Sequence, residues 1–182
     1  MSKAKGKIQE KIDEKLLEER KVFLWGQVDD DSAKHVIDRL LYLDLISHDE
    51  IQLIINSPGG YVTSGFAIYD TLKSLKSPVS TVCSGLAASM ASILLSAGKK
   101  GRRFIEPHAQ VMIHQPSGGA RGQASNIEIQ AREIIKTRTL SAEILATNCN
   151  QNTDKVLKDF DRDYWMNAQE SIEYGIVDGV KE

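Results

Sequence analysis

With 182 residues, 41 % of them apolar and 26 % charged, the chain can bury roughly 70 % of its extended surface, which excludes disorder, collagen and coiled coil as whole-chain descriptions. Its 23 basic and 25 acidic side chains leave a net charge of −2, so no overall excess draws it to nucleic acid or to an anionic membrane. Cys83 and Cys149 have no CxxC pattern and no histidine beside them, so neither a disulfide framework nor a metal site is signalled, and a reducing compartment is the default.

Residues 1 to 21 carry charges of both signs, with Ile8, Ile12, Leu16 and Leu17 at helical spacing, and read as an amphipathic helix with a frayed start. This segment lacks the apolar core of a signal peptide, and no run of about 18 apolar residues follows, so a cytoplasmic chain without a membrane span is expected. VFLWG, 22 to 26, predicts a short buried strand, and acidic turn residues then lead into a helix from about Ser32 to Ile46. The pattern repeats. IQLII, 51 to 55, runs through NSPGG into a helix of about 63 to 76, and VSTVC, 79 to 83, runs into a small-residue helix of about 87 to 97. Strand, loop and helix in succession predict an α/β fold in one domain spanning 1–182.

A further apolar run, QVMIH at 110 to 114, ends in QPSGGARGQ, whose proline and glycines stop it from continuing as a central strand. A long helix follows. Ser125 with Glu128 predicts its capping box, and Ile127, Ala131, Ile134, Ile135, Ala142 and Leu145 form a stripe over some six turns, able to protrude and pack elsewhere. The tail predicts a short strand at Tyr164 to Met166, a helix capped by Asn167, and a turn at Gly175.

Three places could carry chemistry. NSPGG after a strand offers free backbone N–H groups that suit an anion or oxyanion, or it is a mere turn. GLAASMAS sets Ser89 among alanines at a predicted helix start, where a substrate can come close and the helix dipole favours negative charge; the alternative is a close-packing device. It is not a G-x-S-x-G elbow. His114 closes an apolar strand, whereas His35 and His48 read as solvent-facing and His108 follows Pro107 in a turn. His114 is then either a base or a satisfied structural residue. Asp159, Asp161 and Asp163 crowd one segment, and composition does not choose among them.

INSPGGYVTSGFAIYD, GLAASMASILLSAG, MIHQPSGGARGQASNIEIQAREI and DRDYWMNAQESIEYGIVDG stand in one order and spacing that resembles the ClpP family, the proteolytic subunits of the Clp protease, from about Leu16 to Val180. The resemblance implies the ClpP/crotonase-like fold of repeated strand-strand-helix units, with a protruding handle helix in the region 115–148. It implies a serine endopeptidase in which Ser89 is the nucleophile, His114 the general base and Asp163 its orienting partner. Serine needs such an imidazole because its hydroxyl is a poor nucleophile at neutral pH. By the same resemblance the N–H groups of Gly60 and Met90 form the oxyanion hole, and substrate pairs as an added strand between Gly60, Tyr61 and Val62 on one side and Ser117, Gly118 and Gly119 on the other. No cofactor is implied. The resemblance further implies that ATP is used by a partner AAA+ unfoldase such as ClpX, ClpA or ClpC, which would feed unfolded protein into stacked heptameric rings.

The positions matching the family's apolar unfoldase-docking grooves read Gln52, Ile54, Val82, Phe104, Glu106 and Lys181, and the amino terminus lacks the usual apolar pore segment. A charged residue in an apolar groove costs a partner desolvation. A paralogue that assembles with a second ClpP subunit is therefore expected. The rival readings are a weakly active or structural subunit of a mixed ring, and a crotonase-type acyl-CoA enzyme.

Overall fold

The computed structural model describes residues 2–119 and 121–181. Met1, Ala120 and Glu182, parts of the expected amino-terminal helix, pre-helix loop and chain end, lie outside the described residues. The chain runs α1 (Ser2–Glu18), β1 (Lys21–Trp25), α2 (Asp30–Ile46), β2 (Ile51–Ser57), α3 (Val62–Ser74), β3 (Val79–Ala88), α4 (Met90–Ser96), β4 (Arg103–Ile105) and β5 (Gln110–Ile113). It continues as α5 (Ala124–Cys149), α6 (Thr153–Asp159), β6 (Tyr164–Met166), α7 (Ala168–Tyr174) and β7 (Gly179–Val180).

One sheet in the order β1-β2-β3-β4-β7 organises the molecule, its strands parallel throughout that path. β5 lies parallel to β3 beyond the end of β4, and β6 runs antiparallel on β5. In β2 the buried positions alternate, with Ile51, Leu53 and Ile55 inward, whereas β3 is buried on both faces from Val79 to Cys83. The helices follow the 3.6 period onto the inward face: Ala33, Val36, Leu40 and Leu43 of α2, and Ile68 and Leu72 of α3. α2 begins two residues before the expected Ser32, because Asp29 caps it. The Asp29 carboxylate accepts the Ser32 N–H at 2.8 Å, and the Ser32 hydroxyl accepts the Asp29 N–H at 2.9 Å.

The expected helix at 87 is wrong at its start. Leu86, Ala87 and Ala88 continue β3, since Gly85 at φ +94° re-aims the strand and the three residues pair with Gln110, Val111 and Met112 of β5. The Ser125–Glu128 capping box is also absent. α5 already includes Ala124, its N-cap Gln123 makes no side-chain cap bond, and Ser125 falls inside the first turn. Short β4, α6 and β7 escaped the periodicity reading, while β6, the Asn167 cap and the turn at Gly175 are as expected; Glu170 completes the cap as a capping box, and Gly175 is left-handed at φ +90°. The α/β class stands, with the long helix the resemblance implied: α5 buries Ser141, Ala142, Leu145, Ala146 and Cys149, whereas Ile127 and Ile135 in its first half are exposed.

Arg103 ties the late elements together. It is buried, its Nε and Nη2 donate to Asp178 at 2.9 and 2.5 Å, and its Nη1 donates to the Asn148 carbonyl at 2.9 Å. Burial alone would raise the Asp178 carboxyl, but hydrogen bonds and charge from Arg103, with the Gly101 N–H, outweigh it and hold the carboxyl below its ordinary value. A folded-state value below the unfolded one means that this stabilisation is complete above roughly pH 4 and is lost as acid protonates the folded carboxylate. Asp178→Ala, which strands the Arg103 charge, is expected to cost about 3 kcal/mol in denaturant unfolding. The variant should also show a shallower loss of stability than the parent when melting is followed from pH 5 downward.

Candidate active site

Ser89 joins β3 to α4 at φ 55°, ψ −124°, a backbone conformation that non-glycine residues rarely adopt and that costs on the order of 1–3 kcal/mol. The surroundings hold it there. Its N–H donates to the Met112 carbonyl of β5 at 2.9 Å, and its carbonyl accepts from the Ser92 N–H at 3.0 Å and the Ser92 hydroxyl at 2.6 Å. The sequence lacks the elbow motif, yet the strained strand-to-helix turn is there.

Register brings the other two side chains in. Ala88 pairs with Met112 in the parallel β3–β5 ladder, so His114, just past β5, lies beside Ser89. In the antiparallel β5–β6 ladder Ile113 pairs with Tyr164, and one step further sets His114 opposite Asp163. His114 Nε2 is 2.9 Å from Ser89 Oγ, and His114 Nδ1 is 3.0 Å from Asp163 Oδ1. A carboxylate only accepts, so Nδ1 carries the hydrogen and Nε2 is left to accept from the hydroxyl. The neighbouring aspartates do not reach His114. The Asp159 carboxylate at the end of α6 is bonded to the Tyr174 hydroxyl at 3.0 Å and Lys155 at 2.6 Å, while Asp161, whose main-chain carbonyl accepts from Gln115 Nε2 at 3.2 Å, lies two residues out of register with His114. His35 and His48 are exposed, as expected, and His108 lies in the expected turn, also exposed.

The NSPGG turn lies against this centre. Val28 donates to the Gly59 carbonyl at 2.9 Å, and Tyr61 donates to the Val28 carbonyl at 2.7 Å. Between them the Gly60 N–H has no acceptor among the described residues, and neither has the N–H of Met90, the first residue of α4. These two N–H groups are therefore available to a developing oxyanion beside Ser89. No group of histidine, cysteine and carboxylate side chains that could hold a metal ion occurs among the described residues.

The Clp protease family model matches residues 4–182. The "ATP-dependent Clp protease proteolytic subunit" of Carsonella ruddii (strain PV) is 49 % identical over 166 residues, which cover 91 % of this chain and 86 % of the relative. The chain belongs to the Clp protease family. It is a proteolytic subunit of that family, a serine endopeptidase, and the acyl-CoA reading is set aside.

The Clp protease segments expected to pair with substrate differ between themselves. The free edge at Gly60 to Val62 is shorter than expected, because the Tyr61 N–H and carbonyl are both bonded, to Val28 and Gly65, and Val62 opens α3. Ser117, Gly118 and Gly119 form no strand with the rest of the sheet; Ser117 and Gly118 border a cleft of about 650 Å³ shared with His114, Ile134 and Asp163. Gly59 is the residue that sequence reasoning passed over. At φ +88°, a Cβ there would stand 2.6 Å from the Ala88 carbonyl oxygen and 2.7 Å from Ser89 Cβ, so the turn approaches the serine only if this position is glycine. Its signal was the doubled glycine after proline. Gly59→Ala is expected to lower kcat/KM for peptide hydrolysis by about 100-fold or more, the loss of an oxyanion donor, with circular dichroism confirming a retained fold.

Proposed function

We propose that Ser89 is the nucleophile, His114 the general base and Asp163 the residue that orients it, with the N–H groups of Gly60 and Met90 as the oxyanion hole. The observation that carries this reading is the two-bond relay of 2.9 and 3.0 Å from Ser89 through His114 to Asp163. As Ser89 Oγ attacks the scissile carbonyl, His114 Nε2 takes its proton, and Asp163 stabilises the imidazolium. Negative charge builds on the carbonyl oxygen, where each N–H donor is worth about 3 kcal/mol. His114 then returns the proton to the leaving amine, and water, activated by the same imidazole, releases the acyl group. No cofactor takes part. Substrate pairing falls mainly to Ser117, Gly118 and Gly119, while the exposed Tyr61 ring and Val62 border the other side.

We further infer that this single domain assembles into stacked heptameric rings in the cytoplasm and takes unfolded protein from an AAA+ unfoldase such as ClpX, ClpA or ClpC, which alone uses ATP. Nucleic acid and membrane have no part; no helix among the described residues is long and apolar enough to cross a membrane. Exposed Trp25, Leu45, Ile46, Ile135 and Trp165 support burial against further copies, and the projecting first half of α5 suits ring stacking. The docking positions support a mixed ring. Lys181 Nζ donates to Gln52 Oε1 at 3.5 Å, and the Ser84 hydroxyl donates to Glu106 at 2.9 Å. These polar groups satisfy one another, so an apolar loop landing there would strip water from them without replacing it. A paralogous ClpP subunit then carries most of the unfoldase docking.

Ser89→Ala is expected to lower peptide hydrolysis by about 10³-fold or more and to abolish labelling by a fluorophosphonate, leaving assembly unchanged on native mass spectrometry. Hydrolysis retained in that variant would refute the assignment, and an unlabelled parent chain, alone and with a sister subunit, would make it a structural ring member. Mixed-ring assembly predicts that unfoldase binding rises steeply when the sister subunit is added. Tight binding by rings of this chain alone would contradict it.

A further inference from the structure

Ser57 closes β2 and is fully buried, pairing in register with Ala87 of β3 beyond a bulge at Ile55–Ser57. Its hydroxyl oxygen accepts the Gly59 N–H at 3.0 Å. That bond spans the proline and closes the turn from inside. It also sorts the donors of the turn: the Gly59 N–H is taken by Ser57, the Tyr61 N–H by Val28, and the Gly60 N–H between them is the one left free among the described residues. The turn so fixed leans on the nucleophile. A Cβ on Gly59 would lie 2.7 Å from Ser89 Cβ and 3.0 Å from the Met90 nitrogen. A shift of a few tenths of an ångström in Gly59 therefore changes the aim of the Gly60 N–H relative to that of Met90.

We propose that Ser57 is a positioning residue of this protease: by holding the Gly59 N–H it sets the aim of the Gly60 donor at the oxyanion. This rests on the reading of Gly60 and Met90 as the oxyanion donors. The oxyanion exists only in the tetrahedral species, so an error of aim weakens the transition state and leaves substrate binding alone. Without the hydroxyl the Gly59 N–H loses its acceptor and the turn relaxes toward another one. The effect belongs in kcat and not in KM.

The test compares the parent with Ser57→Ala and Ser57→Cys, the second keeping the size of the side chain while accepting hydrogen bonds poorly. Each is assayed for peptide hydrolysis, for inhibition by a peptide aldehyde that forms a tetrahedral adduct on Ser89, and for binding of a product peptide that forms none. Both variants are expected to lose about 10- to 100-fold in kcat, less than removal of an oxyanion donor outright, with KM and product affinity unchanged. Aldehyde affinity should fall by the same factor as kcat/KM. A parent-like kcat in Ser57→Ala, or a loss confined to KM, overturns the role of Ser57. A loss in Ser57→Ala that Ser57→Cys fully restores assigns the residue to packing and overturns it as well. A parent chain that forms no aldehyde adduct at Ser89 instead overturns the underlying site, so the two failures are told apart.

Discussion

One strand that changes partners along its length sets the geometry of the whole site. β3 pairs with β4 from Thr81 to Cys83 and with β5 from Leu86 to Ala88, on the same edge, and Gly85 turns the chain between the two. Open parallel sheets offer ligands a crevice where neighbouring strands part. Here the parting strand ends in Ser89, and the strand that replaces β4 ends one residue before His114. The serine and the imidazole meet because two ladders share a strand end, and Asp163 joins them because β6 returns antiparallel along β5.

Local strain and close packing serve the same end. The backbone of Ser89 would relax to an ordinary conformation if its N–H were not fixed to β5 and its carbonyl to Ser92. The residues around it are small for a physical reason. Ala87, Ala88 and Ala91 are buried, and Gly59 and Gly65 are approached so closely by Ser89 and the Met90 side chain that any Cβ would have to displace them. What reads in the sequence as a featureless run of small residues is the space in which the β2–α3 turn is brought against the serine.

That same run explains where sequence reasoning stopped short. GLAAS has neither the alternation of a half-buried strand nor the period of a helix, so Ala87 and Ala88 looked like the start of α4. Likewise, β4 and β7 span three and two residues and leave no periodic trace. Ser89 and His114 could be named as candidates from position, but no composition separates Asp163 from Asp159 and Asp161. The choice is made by the β5–β6 register, a long-range property, and only resemblance to a family carried it in advance. Elements with local signatures were legible, as with the Asn167 cap, while the Ser125–Glu128 pattern failed because α5 starts one residue before it.

The uncovered face of the sheet connects this fold to assembly. Parallel sheets are ordinarily buried on both sides, yet β1, β2 and β4 bury alternate residues only, leaving Phe23, Gln52, Ile54 and Phe104 half-exposed on the second face. α2, α3 and α4 serve the first face, and α1 packs chiefly against β1. This face is left open among the described residues, and its chemistry is mixed: aromatic and aliphatic groups stand beside the Gln52–Lys181 and Ser84–Glu106 pairs. An apolar partner gains from the first set only where it can leave the second in water. Satisfied polar pairs among apolar side chains therefore narrow the choice of partner, and the surface that completes the sheet also selects what may sit on it.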